Sequence, residues 1–360
     1  MIAGMARCFL NDSLRGRHNP VSLALIFVLW GAVSACAEDG WVDVSTPLTD
    51  RLAQEGAKSE WPGGCSGVVV NRLTGEVTIK VVGHGLWRSV DEGKSWSRVD
   101  AGKVGGRDET GWATTQDQQT PGRIASFSLD GPAGWTVDGK TWQSFTSLGR
   151  NWDFGSVDWS VPGPKTIVAA KHETDPFGEV HASSDGGVTW RQLDIHLAGK
   201  PDRLSMCGAL GEKTFIYSKD DGIQRSTDAG VTWTRVSPVN PQTRLPVFFA
   251  GAYWLGSDKG LIVSRDFGAT WKEQGSPVDV WLGPFFGAAE KDIVVVGKNG
   301  AFRTSDAGTT WTKAADLHPN LKGFSFAPRW FGCYAWDPVH DTLYASCMGH
   351  PVFRRKLGAK

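Results

Sequence analysis

Apolar positions along the chain fall in short runs separated by turn residues, a pattern of β-strands rather than of helices. Ile293–Val296 is one such run, and Gly260–Val263 typifies the strand that follows it in each unit. An octapeptide then recurs: Ser89-Val90-Asp91-Glu92-Gly93-Lys94-Ser95-Trp96, Ser183–Trp190, Ser226–Trp233, Ser264–Trp271 and Thr304–Trp311, with a copy one residue shorter at Thr136–Trp142. Its aspartates, Asp91, Asp138, Asp185, Asp228, Asp266 and Asp306, suit a tight turn in which the carboxylate accepts backbone N–H groups. The glycine supplies a positive φ, and the flanking hydroxyls tie the turn down. The closing tryptophan starts a further strand and brings an indole large enough to fill the space between neighbouring sheets.

These tryptophans, at 96, 142, 190, 233, 271 and 311, are spaced by 46, 48, 43, 38 and 40 residues, the period of propeller blades. Each unit reads as four antiparallel strands, a to d, with the octapeptide at the c–d hairpin. After the last octapeptide, Gly332–Asp337, Thr342–Ser346 and Pro351–Arg354 read as strands a, b and c of another blade that has no strand d. At the other end, Trp41–Ser45 matches the d strand Trp233–Ser237 but has no blade ahead of it. Joining the two ends leaves no exposed sheet edge. The expected fold is therefore all-β: a seven-bladed propeller of four-stranded antiparallel blades, closed by the N-terminal strand pairing into the last blade.

Composition agrees. With 45 Gly, 18 Pro and 18 Trp among 360 residues and only 21% charged, the chain suits neither a helical bundle, a coiled coil nor a disordered tail. Lys+Arg and Asp+Glu both number 38, so the basic excess that a nucleic-acid partner requires is missing. At the N-terminus, Arg7, Arg15 and Arg17 precede the apolar run Val21–Val33, short for a bilayer span but suited to a signal-peptide core. Residues 1–35 are read as a signal peptide and 36–360 as one propeller domain. Val33-Ser34-Ala35-Cys36 has the form of a bacterial lipobox with Cys36 as the lipidated residue, the favoured reading; Ala35-Cys36-Ala37 also fits ordinary cleavage before Glu38. Either way the protein is exported, and any membrane contact is through a lipid anchor.

The octapeptide resembles the Asp-box (BNR) repeat, S/T-x-D-x-G-x-T-W, of sialidases, xyloglucan-active hydrolases, sortilin-type receptors and photosystem II assembly factors. That resemblance implies boxes at the blade periphery, away from the functional mouth, and so a structural role for them. Sialidase activity is not expected: Arg123-Ile124-Ala125 lacks the proline of the sialidase Arg-Ile-Pro motif, Tyr217, Tyr253, Tyr334 and Tyr344 all read as strand residues, and sialidases have six blades. The xyloglucan-active relatives use two facing propellers, whereas this chain has one.

Ligands of propellers sit at the mouth formed by the d–a and b–c loops. Arg107, Arg150, Arg203, Arg244 and Arg329 precede inner strands in five blades and would make a positive mouth suited to a carboxylate or sulfate, unless neighbours such as Asp108, Asp153 and Asp202 neutralise them. His84, Trp152 and Trp330 are further ligand-binding candidates, the tryptophans as sugar-stacking faces. Glu109, Asp153, His172 and Glu173 are the candidates for proton transfer at a glycosidic bond, against the plainer reading of each as a solvated loop residue. No His-x-x-x-His or Cys-x-x-Cys spacing indicates a metal, and no cofactor is expected.

Two functions remain open. One is a glycan-recognising, carbohydrate-active propeller, hydrolase or lyase, working as a monomer on an anionic or complex polysaccharide. The long insertions at 100–111, 195–206, 237–249 and 315–331 favour it. The alternative is a non-catalytic protein-binding scaffold resembling the photosystem II assembly factors. A final expectation concerns thiols: a hairpin turning about His340 would set Cys333 opposite Cys347 at disulfide distance, while a one-residue slip would put them on opposite faces.

Overall fold

The computed structural model describes residues 40–146, 151–172, 179–195, 206–219, 221–319 and 332–358. Within the compact unit that begins at Cys36, these residues form seven four-stranded antiparallel sheets. The inner strands are Cys65–Val70, Thr114–Gln116, Trp152–Val157, Met206–Ala209, Val247–Phe249, Leu282–Phe286 and Gly332–Asp337. They define blades 1 to 7 in that order, and the first touches both the second and the last, which closes the ring. Among the described residues one helix of nine residues occurs, Thr46–Gln54, with Pro47 in its first turn; it lays Leu48 and Leu52 into the core of blade 1. No helix among the described residues is long and apolar enough to cross a membrane.

The ring closes as expected. Blade 7 takes Val42–Asp43 as its outer strand, with Val42 opposite Arg354 and Asp43 opposite Phe353. Around this seam, Ser45 Oγ accepts the Val352 N–H at 2.8 Å and the Trp96 indole N–H donates to Val44 O at 2.9 Å. Glu92, in the first octapeptide, binds Arg354 at 2.9 Å and Lys356 at 2.6 Å across the same junction.

The octapeptide is both a turn and a clamp between blades. Ser89 Oγ donates to Asp91 Oδ1 at 2.8 Å and accepts the Gly93 N–H at 2.7 Å; Asp91 accepts the Ser95 N–H at 2.9 Å and the Ser95 hydroxyl at 2.6 Å. Asp185, Asp228, Asp266 and Asp306 repeat the arrangement, and the short copy keeps it with Asp138 accepting the Lys140 and Thr141 N–H groups. Glycine is required at Gly93 and Gly187 for two reasons. Each has φ near +90°, and a Cβ would lie 2.6 Å from Val44 or 2.2 Å from the Phe145 ring, each belonging to the outer edge of the preceding blade. Trp142 fills the space between blades 1 and 2, packing with Leu86 and Val104.

The octapeptide face of the central channel is closed by loops from several blades. Arg72 donates to Gln118 O at 2.6 Å and to Gly287 O at 3.2 Å, and its guanidinium lies 4.8 Å from the Phe249 ring centroid. Gln119 Oε1 accepts the Ala250 N–H at 2.8 Å. Above this plug a small, partly open cavity of about 60 Å³ runs among the inner strands, lined by residues including Trp112, Phe285, Tyr334 and Trp336.

The expected Cys333–Cys347 pairing is corrected. Cys333 is opposite Ser346, and Cys347 is opposite Gly332. The hairpin turn holds four residues, Pro338–Asp341, because Asp337 pairs with Thr342 and its Oδ1 accepts the Val339 and His340 N–H groups at 2.9 and 3.2 Å. That shifts the register by one and sends the two thiols into different core clusters. Cys65, Cys207, Cys333 and Cys347 are all free and buried, and burial pushes the Cys65 and Cys347 thiols up to about 12.

Three outcomes follow from the clamp and the seam. Hydrogen bonds from the neighbouring hydroxyls and amides hold Asp91, Asp185 and Asp306 at about 2, below the unfolded aspartate value. Their contribution is therefore complete above about pH 4 and lost as pH falls towards 2, so the thermal midpoint should drop over that window. Ser89→Ala, which leaves the Gly93 amide without its acceptor, should cost about 1–3 kcal/mol in denaturant titration. Trp41 is 2% exposed beside the closing strand. Trp41→Ala should lower stability by about 3–5 kcal/mol, measured in the same way.

Candidate functional site

At the mouth opposite the octapeptides, loop backbones are tied to one another. Arg107 and Leu129 exchange hydrogen bonds of 3.0 and 2.9 Å, joining the loop that enters blade 2 to that blade's own b–c turn. Asn151 and Trp152 donate to Ser128 O at 3.1 and 3.3 Å, and His172 donates to Asn151 O at 2.9 Å. Asp130 and Asn151 hold φ values of 59° and 60°, a left-handed geometry that Asp and Asn tolerate better than most side chains.

Beneath this surface lies a buried ion pair. Lys80 and Asp108 are both fully shielded, with Nζ 2.7 Å from Oδ1. Thr114 Oγ1 donates to Asp108 Oδ2 at 2.6 Å, Ser66 Oγ accepts the Asp108 N–H at 3.0 Å, and the Ser126 and Ser128 hydroxyls accept from Lys80. Burial pulls the Lys80 ammonium below the ordinary lysine value, and Asp108 opposes that pull. Asp108 is fully shielded, whereas its neighbours Arg107 and Glu109 stay partly exposed on their loop.

There Arg107 and Glu109 meet residues of blade 3. His172 Nδ1 lies 2.7 Å from Asp153 Oδ1, and Thr110 Oγ1 donates to Asp153 O at 2.7 Å. Arg107 Nε is 3.4 Å from Glu109 Oε2, and the same guanidinium contacts Asp130. The side chains of Arg107, Glu109, Asp153 and His172 are between 12% and 19% exposed, sheltered but reachable. Burial pushes the Glu109 carboxyl above the usual glutamate range, against the pull of His172 and Arg107, and Asp153 adds to the rise. Trp61 sits over the Arg107 guanidinium, 4.8 Å from ring centroid to Cζ, and remains 70% exposed.

Of the residues expected at the mouth, Glu109, Asp153, His172 and Arg107 thus come together. Glu173, Arg150, Arg203, Arg329, Trp330 and Cys36 lie outside the described residues, as does the segment 1–35. His84 Nε2 is 3.0 Å from Lys58 O and braces the b–c turn of blade 1 against the preceding loop. Arg244 is buried, with its guanidinium 5.7 Å from the Phe154 ring centroid. Trp152 is corrected as a stacking face: it is fully buried, with Trp190 at 4.6 Å and the Lys171 ammonium at 4.2 Å from its ring. Trp61 was the residue missed. Its signal is a tryptophan outside the octapeptide register, in the turn-rich stretch Trp61-Pro62-Gly63-Gly64. No group of three or more His, Cys, Asp or Glu among the described residues is placed to hold a metal ion.

Fold and rim together define a seven-bladed propeller with an acidic, aromatic patch on the mouth away from its repeated turns. The chain is 23% identical to a xyloglucanase of Paenibacillus sp. over 250 residues, covering 67% of this chain and 19% of the relative. It is 27% identical over 143 residues to the dispase autolysis-inducing protein of Streptomyces mobaraensis, covering 39% and 38% of the two chains. The chain thus spans about a fifth of the length of the xyloglucanase. Among solved structures, the GH74 enzyme of Niastella koreensis aligns with a TM-score of 0.51 at 16% identity, over 89% of this chain and 54% of that one, a likeness of fold. No protein-family model matches the chain.

Lys80→Met would leave Asp108 buried without its partner and should cost about 3–5 kcal/mol of unfolding free energy. Adding Asp108→Leu should recover most of that loss in the same denaturant titration.

Proposed function

We propose that the protein is an exported Asp-box propeller that binds and cleaves a complex, neutral polysaccharide at the rim of blades 1 to 3. The observation that carries this reading is Glu109, pushed above the usual glutamate range by burial and set beside the His172–Asp153 pair. Glycosidic cleavage needs one carboxyl that keeps its proton and a second that is ionised. Glu109 fits the first role, giving its proton to the departing oxygen. Asp153, oriented by His172, is the second carboxylate. Trp61 offers an open indole face on which a sugar ring stacks, backed by Arg107. Among the described residues, Glu109 and Asp130 both approach the Arg107 guanidinium and Asp153 lies against His172, an acidic balance that favours a neutral glycan over the anionic one expected from the arginine series. The xyloglucanase relatives support a plant-type polysaccharide as the first substrate to try. The N-terminal segment supports export, with Cys36 as the lipid attachment point.

The test is release of reducing ends from xyloglucan and other neutral polysaccharides. Glu109→Gln should reduce turnover by about 10²–10⁴-fold with the thermal midpoint retained. Trp61→Ala should weaken binding about tenfold, read by calorimetry. Because the donor must be protonated, turnover should extend above the ordinary glutamate range and fall as pH rises through the elevated Glu109 value. Glycan binding that is absent, or unaffected by both substitutions, would overturn the reading and leave the protein-binding scaffold in its place.

A further inference from the structure

Arg107 faces two carboxylates and cannot serve both equally. Its Nη1 contacts Asp130 Oδ2, whereas its Nε approaches Glu109 Oε2 only to 3.4 Å. Neither Arg107 Nε nor Glu109 Oε2 has a hydrogen-bond partner, although both atoms are buried. A guanidinium this close to a carboxylate ordinarily turns to make two parallel N–H···O bonds. Something therefore holds it back. Trp61 stacks on the guanidinium and restricts its tilt. Asp130 anchors its far end from a closely packed turn, although its own side chain is 62% exposed. Asp130 has φ 59°, its N–H is directed at Asn151 Oδ1 at 3.4 Å, and the chains at Gly106 and Gly131 approach too closely for any Cβ.

We propose that Asp130 is a positioning residue: it draws Arg107 off Glu109 and so leaves Glu109 able to carry the proton that the reaction uses. This rests on the reading of Glu109 as the proton donor. Among the described residues, the charged groups facing Glu109 are Arg107 from its own loop, and Asp153 and His172 from the two loops of blade 3. Of these, Arg107 also contacts a further carboxylate, Asp130. The residue is on the b–c turn of blade 2, so a neighbouring loop tunes the acid without touching it.

The test reads Glu109 directly, by carboxyl ¹³C NMR titration of the full chain labelled at glutamate, its signal assigned by loss in Glu109→Gln. Asp130→Asn frees Arg107 to pair with Glu109 and should lower the Glu109 midpoint by about one unit or more. Arg107→Met should raise it. In the Arg107→Met background, adding Asp130→Asn should change nothing further, since Asp130 acts through Arg107. Asp130→Ser serves as the second variant should Asp130→Asn lose its fold. An unmoved or raised midpoint in a folded Asp130 variant would overturn the proposal, as would a full downward shift that persists without Arg107. Turnover separates this result from the functional reading. Opposite shifts in a protein that cleaves no glycan would uphold the positioning role and defeat the proposed reaction. With turnover, its basic limb should move with the midpoint.

Discussion

A propeller blade is a small twisted sheet that is stable only when neighbours cover both of its faces, and the rest of this structure depends on that mutual coverage. The octapeptide turns supply much of it. Each turn satisfies its own backbone through Ser or Thr and Asp, then seats its glycine against the preceding blade, as Gly93 does against Val44 and Gly187 against Phe145. Coverage has to continue around the whole ring, so the last blade borrows its outer strand from the N-terminus. Glu92 ties the first octapeptide to Arg354 and Lys356 at that junction.

This division of labour frees the opposite mouth. The octapeptide side is occupied by blade-to-blade clamps and by the Arg72–Gln118 plug. On the other mouth the described loops of blades 1 to 3 are fastened through backbone hydrogen bonds and the buried Lys80–Asp108 pair, which leaves side chains there available for chemistry. Lys80 and Asp108 illustrate the cost and use of such a pair. Two fully shielded charges contribute little net stability against a well-packed apolar alternative, but they fix the loop that presents Arg107 and Glu109.

Much of the fold was legible from residue order. The octapeptide, its period and the matching of Trp41–Ser45 with Trp233–Ser237 were enough to place seven blades and the closing strand. Glu109, Asp153 and His172 were legible as candidates because topology alone assigns d–a and b–c loops to one mouth. Trp152 was misjudged because a loop-edge tryptophan looks the same in sequence whether it faces solvent or a neighbouring blade; packing against Trp190 settles it. Trp61 was overlooked because it belongs to no repeat.

The sequence by itself determined what depends on local turn chemistry and on periodicity: strand count, blade order and the mouth on which loops gather. Those features follow from which residues tolerate a positive φ, accept amide hydrogens or alternate in polarity, and all of that is written within a few neighbouring positions. Only the tertiary structure decided what depends on distances between blades or on a single residue of register. It placed four residues in the Pro338–Asp341 turn and so separated Cys333 from Cys347. It also brought Arg107 between Asp130 and Glu109, from two loops whose separation along the chain says nothing about their contact. Burial is a property of the assembled ring, so the weakened acidity of the Glu109 carboxyl and the buried Lys80 could emerge only once blades 1 to 3 were packed together.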